Sequence, residues 1–260
     1  ASLDGVVLYE DIPYLLDSLF GQAVPTSGGV FLYDRAYAAP LGAVPSSPRI
    51  FSLYYGDVGN DYAGSGMEVT ELGITGESNG KFEYSASLLG KAVTASGIAA
   101  MADRTVVVAQ GNDTTLYIDA FGGTVGTTEI ATTAFSFDLA INSNRAAKYH
   151  LGNKAPDALR EAKWEGTLSL VLEVNTASKA YLTDILAGTN PLKKLIRIKS
   201  LLDTQYLQID FAGTTLAAPE IFNDNDGVST IEVEFSGEVD TASFDNWLKI
   251  VSRNTVATLA

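Results

Sequence analysis

The sequence contains no cysteine, which removes disulfides, thiolate metal sites and a cysteine nucleophile together. Histidine is almost as scarce, His150 being the only one. A zinc site would need all-carboxylate ligation, and a catalytic triad would rest on His150 alone. Charge is sparse too, at 18% of residues against roughly 25% in an average soluble domain. Cations are the rarer sign: 17 Lys and Arg stand against 31 Asp and Glu, a net charge of −14. Gripping nucleic acid takes clustered Lys and Arg, so this balance argues against such a surface. DNA passing without adhering is compatible with it, because like charges repel. No apolar run approaches the ~20 residues that span a bilayer. Residues Ala1 to Tyr9 lack the basic end and apolar core of a signal peptide. The composition reads as that of a soluble, acidic protein made in the cytoplasm.

What is present is period-two alternation. Runs such as Phe51 to Tyr55, Val69 to Thr75, Phe82 to Leu88, Thr105 to Gln110, Leu116 to Phe121 and Phe135 to Ile141 carry it. Later runs include Thr167 to Val174, Leu195 to Lys199, Tyr206 to Phe211, Ile231 to Phe235 and Trp247 to Val251. A short run, Val30 to Tyr33, and the start, Ser2 to Val7, read the same way. Aromatic and β-branched residues in these runs, with Gly, Asn and Asp between them, predict a mainly β, antiparallel protein. Asn79-Gly80 predicts a two-residue turn with positive φ between two of the runs. Two segments read as short helices. One follows Glu10 and Asp11, carries Ile12, Leu15, Leu16, Leu19 and Phe20, and stops at Gly21. The other follows Asn175 and Thr176, carries Tyr181, Leu182, Ile185 and Leu186, and stops at Gly188. Between the runs at Phe135 and Trp164 lies a long excursion, Ser143 to Lys163. Arg145, Lys148, Lys154, Arg160 and Lys163 make it locally basic, which suits contact with an acidic surface such as another copy of the chain.

The chain also repeats itself. Tyr14-Leu15-x-Asp17-x-Leu19-x-Gly21 returns as Tyr181-Leu182-x-Asp184-x-Leu186-x-Gly188, and Pro48-x-Ile50-Phe51 returns as Pro219-x-Ile221-Phe222. Glu71, Leu72, Ile74, Gly76 and Glu77 match Glu232, Val233, Phe235, Gly237 and Glu238 in the same order. This predicts a tandem duplication into residues 1–130 and 131–260, each repeat with one flanking helix. A single β-sandwich with monotonous strand patterns would read similarly. The second helix follows a full hairpin while only Ser2 to Val7 precedes the first. Equivalence of the repeats therefore leads one to expect a further strand before Ala1.

No motif carries chemistry. Asn223-Asp224-Asn225-Asp226-Gly227 lacks the flanking helices and terminal bidentate Glu of a calcium loop, and reads as a turn. Gly90-Lys91 lacks the rest of a phosphate loop, and Gly64-Ser65-Gly66 lacks the spacing of a nucleophile elbow. Nothing selects a carboxylate pair among the many Asp and Glu residues. Trp164 and Trp247 suit core or interface anchors.

The stretch from Phe51 to Val93, FSLYYGDVGNDYAGSGMEVTELGITGESNGKFEYSASLLGKAV, resembles the tail tube proteins of long-tailed bacteriophages. So does the C-terminal pattern from Pro219-Glu220-Ile221-Phe222 through Asp226-Gly227 to Trp247-Leu248-Lys249-Ile250. The helix segments and Trp164-Glu165-Gly166 fit as well. The resemblance implies a β-sandwich or open barrel whose copies form stacked rings around a channel for the genome. It pairs Glu68 to Thr75 with Lys81 to Leu88, and Thr230 to Phe235 with Asn246 to Ser252. Alternation then sets Glu71, Glu83, Ser85, Glu232 and Glu234 on the face away from the core, the expected channel face. A sheet face open to solvent would show the same pattern. The resemblance implies no catalytic residue, cofactor or metal. The expected partners are further copies, as a hexamer or a pseudo-hexameric trimer, other tail proteins such as a tape measure and a terminator, and double-stranded DNA passing without specific binding. Membrane insertion is not expected, and the place of the protein is the virion tail, after assembly in the host cytoplasm. Another virion component (a tail terminator, baseplate or capsid decoration protein) or a carbohydrate-binding β-sandwich would share much of this composition.

Overall fold

The computed structural model describes residues 1–42, 48–57, 60–97, 105–130, 134–152, 156, 158–160, 162–176, 178–180, 183, 191–215, 220–225 and 227–259. Its first strands are β1 (Ser2–Val6), β2 (Thr26–Gly29), β3 (Leu32–Ala38), β4 (Phe51–Asp57), β5 (Asn60–Glu77), β6 (Glu83–Leu89) and β7 (Ala92–Ala95). The middle of the chain adds β8 (Thr114–Ala120), β9 (Ala134–Asn142), β10 (Ala146–Lys148), β11 (Ala158–Arg160) and β12 (Glu165–Glu173). The last are β13 (Leu192–Leu202), β14 (Gln205–Thr215), β15 (Glu220–Asn225), β16 (Val228–Gly237) and β17 (Leu248–Asn254). Helix α1 (Ile12–Phe20) lies between β1 and β2. The mainly β, antiparallel reading holds.

Fifteen strands form one antiparallel sheet whose main path runs β1-β6-β5-β9-β12-β16-β14-β17-β3-β2. β13 lies on the other edge of β14 and carries β8, while β15 lies beside β16. β4 and β7 flank only the N-terminal part of β5, and β10 pairs with β11 alone. The sheet turns over at β14. Tyr206 to Phe211 pair with β17; Gly213 and Thr214 then pair with Gly237 and Ser236 of β16. A strand that changes partner along one edge joins two stacked sheets at a corner. The apolar faces of the two halves consequently share one core. Leu72, Ile74, Leu139, Leu168 and Val233 enter it from one side, and Ile118, Ile196, Ile209 and Ile250 from the other. Glycine makes the corner possible. A Cβ on Gly213 would sit 2.8 Å from Phe235 Cβ, and one on Gly237 would sit 2.6 Å from the Trp247 ring. Trp247 in turn stands edge-on to Phe211, with ring centroids 5.9 Å apart.

Helix α1 keeps the limits its punctuation predicts. Pro13 lies in the first turn, where its missing N–H costs nothing, and Gly21 ends the helix at φ +103°. Every helical residue except Tyr14 is buried, so α1 is a core element packed on β3 and β5 rather than an outer cover. Polar groups fix it there: buried Asp17 accepts from Tyr37 Oη at 2.8 Å, and Ser18 Oγ accepts from Val69 N at 3.0 Å. The second expected helix falls mostly outside the described residues; helical turns are present at Thr176 and Ser178 to Ala180.

Several expectations are corrected. The Thr230 to Phe235 strand does not pair with Asn246 to Ser252. β16 lies against β12 and β15, and β17 against β14 and β3. β14 intervenes because it is buried on both faces along most of its length and uses both edges for pairing. Thr105 to Gln110 forms only isolated bridges to Leu8 and Lys81. Val30 and Phe31 form the exposed tip of the β2–β3 hairpin, with Phe31 at φ +58°. The turn at Asn79-Gly80 needs no positive φ; Gly80 N donates to Glu77 O, and the loop is longer than two residues.

Candidate functional site

Antiparallel register puts directly opposed residues on one face of a sheet. Across the half-sheet from β1 to β16, the outward residues form rows. One row runs Ser2, Ser87, Glu71, Asn142 and Glu165. The next runs Asp4, Ser85, Gly73, Ala140, Thr167 and Ser236. A third takes Glu83, Thr75, Asp138, Ser169 and Glu234, and Glu232 follows opposite Val171. All five residues expected on the channel face, Glu71, Glu83, Ser85, Glu232 and Glu234, are therefore on one continuous surface, and all are exposed. Strands β1, β6, β5, β9, β12 and β16 contain no Lys or Arg at any position. The carboxylates are held by neutral donors instead. Ser87 Oγ and Asn142 Nδ2 each donate to Glu71 at 2.9 Å, and Ser169 Oγ donates to Glu232 at 2.9 Å. Small side chains between them leave a shallow depression lined by Ser2, Asp4, Glu71, Gly73, Ser85 and Asp138.

Asp4, Asp138 and Glu165 belong to this face and were not singled out from the sequence. Their alternation within their strands was visible, but only the pairing of β1 with β6 and of β9 with both β5 and β12 brings them alongside Glu71 and Glu83.

The outer face of the other half is built differently. Its strands carry Lys193, Arg197, Lys199, Lys249 and Arg253, several of them matched to carboxylates. Arg197 reaches Asp210 at 2.6 and 2.8 Å, and this pairing raises the Arg197 pKa. Arg253 reaches Asp34 at 2.6 and 2.7 Å, and Lys193 pairs with Glu238. The two outer faces thus differ in kind: one is acidic without a cation, the other is mixed and paired.

The half-sheet has two open ends. β1 pairs with β6 and β15 with β16, and neither has a strand on its other edge among the described residues. Unpaired edges of this kind are templates for another chain.

The basic excursion forms a short arm, β10 paired with β11, rising from the Asn142 end of β9. Arg145, expected on its surface, is instead buried within the subunit, 2.8 Å from Glu68 and 5.5 Å over the Trp164 ring. Lys148 and Lys163 are exposed. Arg160 lies in β11 opposite Ala146, and Lys154 falls outside the described residues.

No constellation for catalysis is assembled among the described residues. His150 lies on the exposed arm, and no group of three or more His, Cys, Asp or Glu side chains there could hold a metal ion. Asp224 and Asn225 end β15, and Gly227, at φ +86°, donates its N–H to Asp224 Oδ1 at 2.6 Å; Asp226 lies outside the described residues. No helix among the described residues is long and apolar enough to cross a membrane.

No curated protein matches the chain. The family model described as phage tail tube protein matches residues 1–237, which spans both halves of the sheet and all of the acidic face. An antiparallel β subunit with one cation-free face thus belongs to the phage tail tube protein family, and its place is the virion tail.

Proposed function

We propose that copies of this chain close into rings that stack into the tail tube, with the β1-to-β16 face as the channel wall. The observation that carries this is the six strands without Lys or Arg, whose outward rows present Asp4, Glu71, Glu83, Asp138, Glu165, Glu232 and Glu234. A wall of one sign repels phosphate, so double-stranded DNA slides past instead of being gripped. Neutral hydroxyl and amide donors orient the carboxylates without cancelling their charge. The open edges of β1 and β15 supply the lateral joints, each copy extending the sheet of the next.

The tandem reading divides the chain into repeats 1–130 and 131–260. Connectivity supports it: β1 leads into α1 and pairs with the second strand of the β5–β6 hairpin. β12 leads into helical residues and pairs with the second strand of the β15–β16 hairpin. In this equivalence β16 takes the place of β6, so the sequence likeness of Glu71 to Glu232 does not mark equivalent strands. With two such units per chain, a trimer gives a ring of pseudo-sixfold symmetry. Negative-stain microscopy of the purified protein tests the assembly. Stacked annuli with a central hole are expected, and persistent monomers at high concentration would refute it.

A further inference from the structure

Two projections leave the same end of the acidic sheet. Glu71 of β5 lies opposite Asn142 of β9, which lies opposite Glu165 of β12. Beyond that row β5 continues toward its N-terminus as a three-stranded tongue with β4 and β7, while β9 continues into the β10–β11 arm. The tongue part of β5, Asn60 to Met67, is about 27 Å long at ~3.4 Å per residue. Its root, Phe51, Leu53 and Met67, packs on the core and Ala63 is buried, while Tyr54, Tyr55, Tyr62 and Val93 are exposed. Register puts Tyr55, Tyr62 and Val93 on one face around Gly64. The Tyr55 and Tyr62 rings stack with centroids 5.9 Å apart, and Val93 is 60% exposed. The tongue strands carry Asp57 and Asp61 and no cation.

The arm is the complement. Its segment holds five of the chain's 17 Lys and Arg in a protein of net charge −14. It exposes Lys148 beside Tyr149, which is 61% exposed, and Leu151, while Lys163 is exposed at the root, its carbonyl accepting from Asn144. Among the described residues no strand pairing joins tongue and arm within one chain. Each therefore leaves apolar surface in water, flanked by charge of opposite sign, which is the pattern of two surfaces that meet between molecules.

We infer that the tongue face of Tyr55, Tyr62 and Val93 receives the arm of a second copy, with Asp57, which shares that face, meeting Lys148. This contact rests on the tube reading above and gives it a joint separate from the sheet edges. Stacked aromatics and Val93 exclude water, and the charges set which surfaces may pair.

The absence of cysteine allows a direct test. Val93→Cys and Tyr149→Cys chains, one carrying a mass tag, are mixed, assembled and oxidised. A disulfide-linked pair of unlike chains is expected to dominate over pairs of like chains. In parallel, Asp57→Lys is expected to lower tube yield at least tenfold, with folding checked by circular dichroism. Adding Lys148→Asp to that chain is expected to restore the yield. Tubes at full yield from the half-swapped chain overturn the contact, as does a full swap no better than the half-swap. Cross-links only between like chains overturn it too, as does another tail protein, rather than a second copy, trapped at Val93→Cys in virions. Wild-type protein that stays monomeric in every condition instead refutes the tube reading, and this contact with it.

Discussion

The Arg145 guanidinium lies 2.8 Å from the Glu68 carboxylate with both side chains buried, at the root of the arm. The same guanidinium donates to Ser18 O at 3.3 Å and Val69 O at 3.4 Å, so one residue ties the arm to helix α1 and to β5. Removing one member of a buried pair leaves the other charge without compensation, at a cost of about 3–5 kcal/mol. Arg145→Met is therefore expected to lower the melting temperature by on the order of 10 °C. Lys148→Ala, on the exposed part of the same arm, is expected to stay within about 0.5 kcal/mol of wild type. Calorimetry of the two variants checks this; equal effects would contradict the assignment of Arg145 to the core.

Reversing charge on the acidic face separates fold from transport. Glu232→Lys with Glu234→Lys changes two exposed outward positions and no core contact, so the melting temperature is expected to hold to within roughly 2 °C. Phages carrying it are expected to assemble tails but lose infectivity at least tenfold, because cations in the wall would hold phosphate. Normal plating with intact tails would count against a channel position for these residues.

Two turns make the fold acid-sensitive. Burial alone would raise the pKa of Asp119. Its hydrogen bonds from Thr127, Thr128 and Gly126 outweigh that together and hold it below the ordinary carboxyl value. Asp240 is likewise lowered: burial opposes the shift, and donors from Ala242, Ser243 and Phe244 impose it. A lowered folded-state pKa contributes stability above the unfolded value of about 3.9, lost as pH falls toward the folded value. Denaturant midpoints are thus expected to drop below about pH 4. Asp119→Asn is expected to cost about 1–3 kcal/mol at neutral pH and to flatten that drop. An unchanged acid limb would refute the role given to Asp119.

The sheet corner tolerates no added methyl. Gly237→Ala would place a Cβ against the Trp247 ring, and Gly166 lies against the same ring. Overpacking of this kind costs about 1–3 kcal/mol. With Trp164→Phe as background, Trp247 fluorescence is expected to shift red in Gly237→Ala as the ring is displaced toward solvent. An unmoved spectrum with unchanged stability would show that the corner can relax.

Much of this architecture was legible in the residues. Leu72 and Ile74 against Glu71 and Thr75, or Ile231 and Val233 against Glu232 and Glu234, state which side faces the core, because a strand alternates whatever its partner. The limits of α1 were equally plain, since Pro13 and Gly21 act through their own backbone. Pairing across long separations was not legible. β17 carries the same alternation whether it lies beside β16 or β14, and only the two-faced burial of β14 decides the matter. Arg145 misled for a similar reason: five cations in one segment read as surface, while a buried partner 77 residues earlier in the chain, Glu68, leaves no local trace. Asp138 and Asp4 joined the candidate face only once neighbouring strands were known.

The absence of cations from six adjacent strands also fixes how the subunit responds to ionic strength. The outward carboxylates repel one another with no internal counter-charge, so added salt is expected to stabilise the isolated fold by screening, the Debye length shrinking from about 10 Å at 0.1 M to 3 Å at 1 M. The joint proposed between Asp57 and Lys148 is expected to weaken under the same treatment. Salt titration thus has opposite expected effects on the isolated fold and on that contact, and raising ionic strength separates the two.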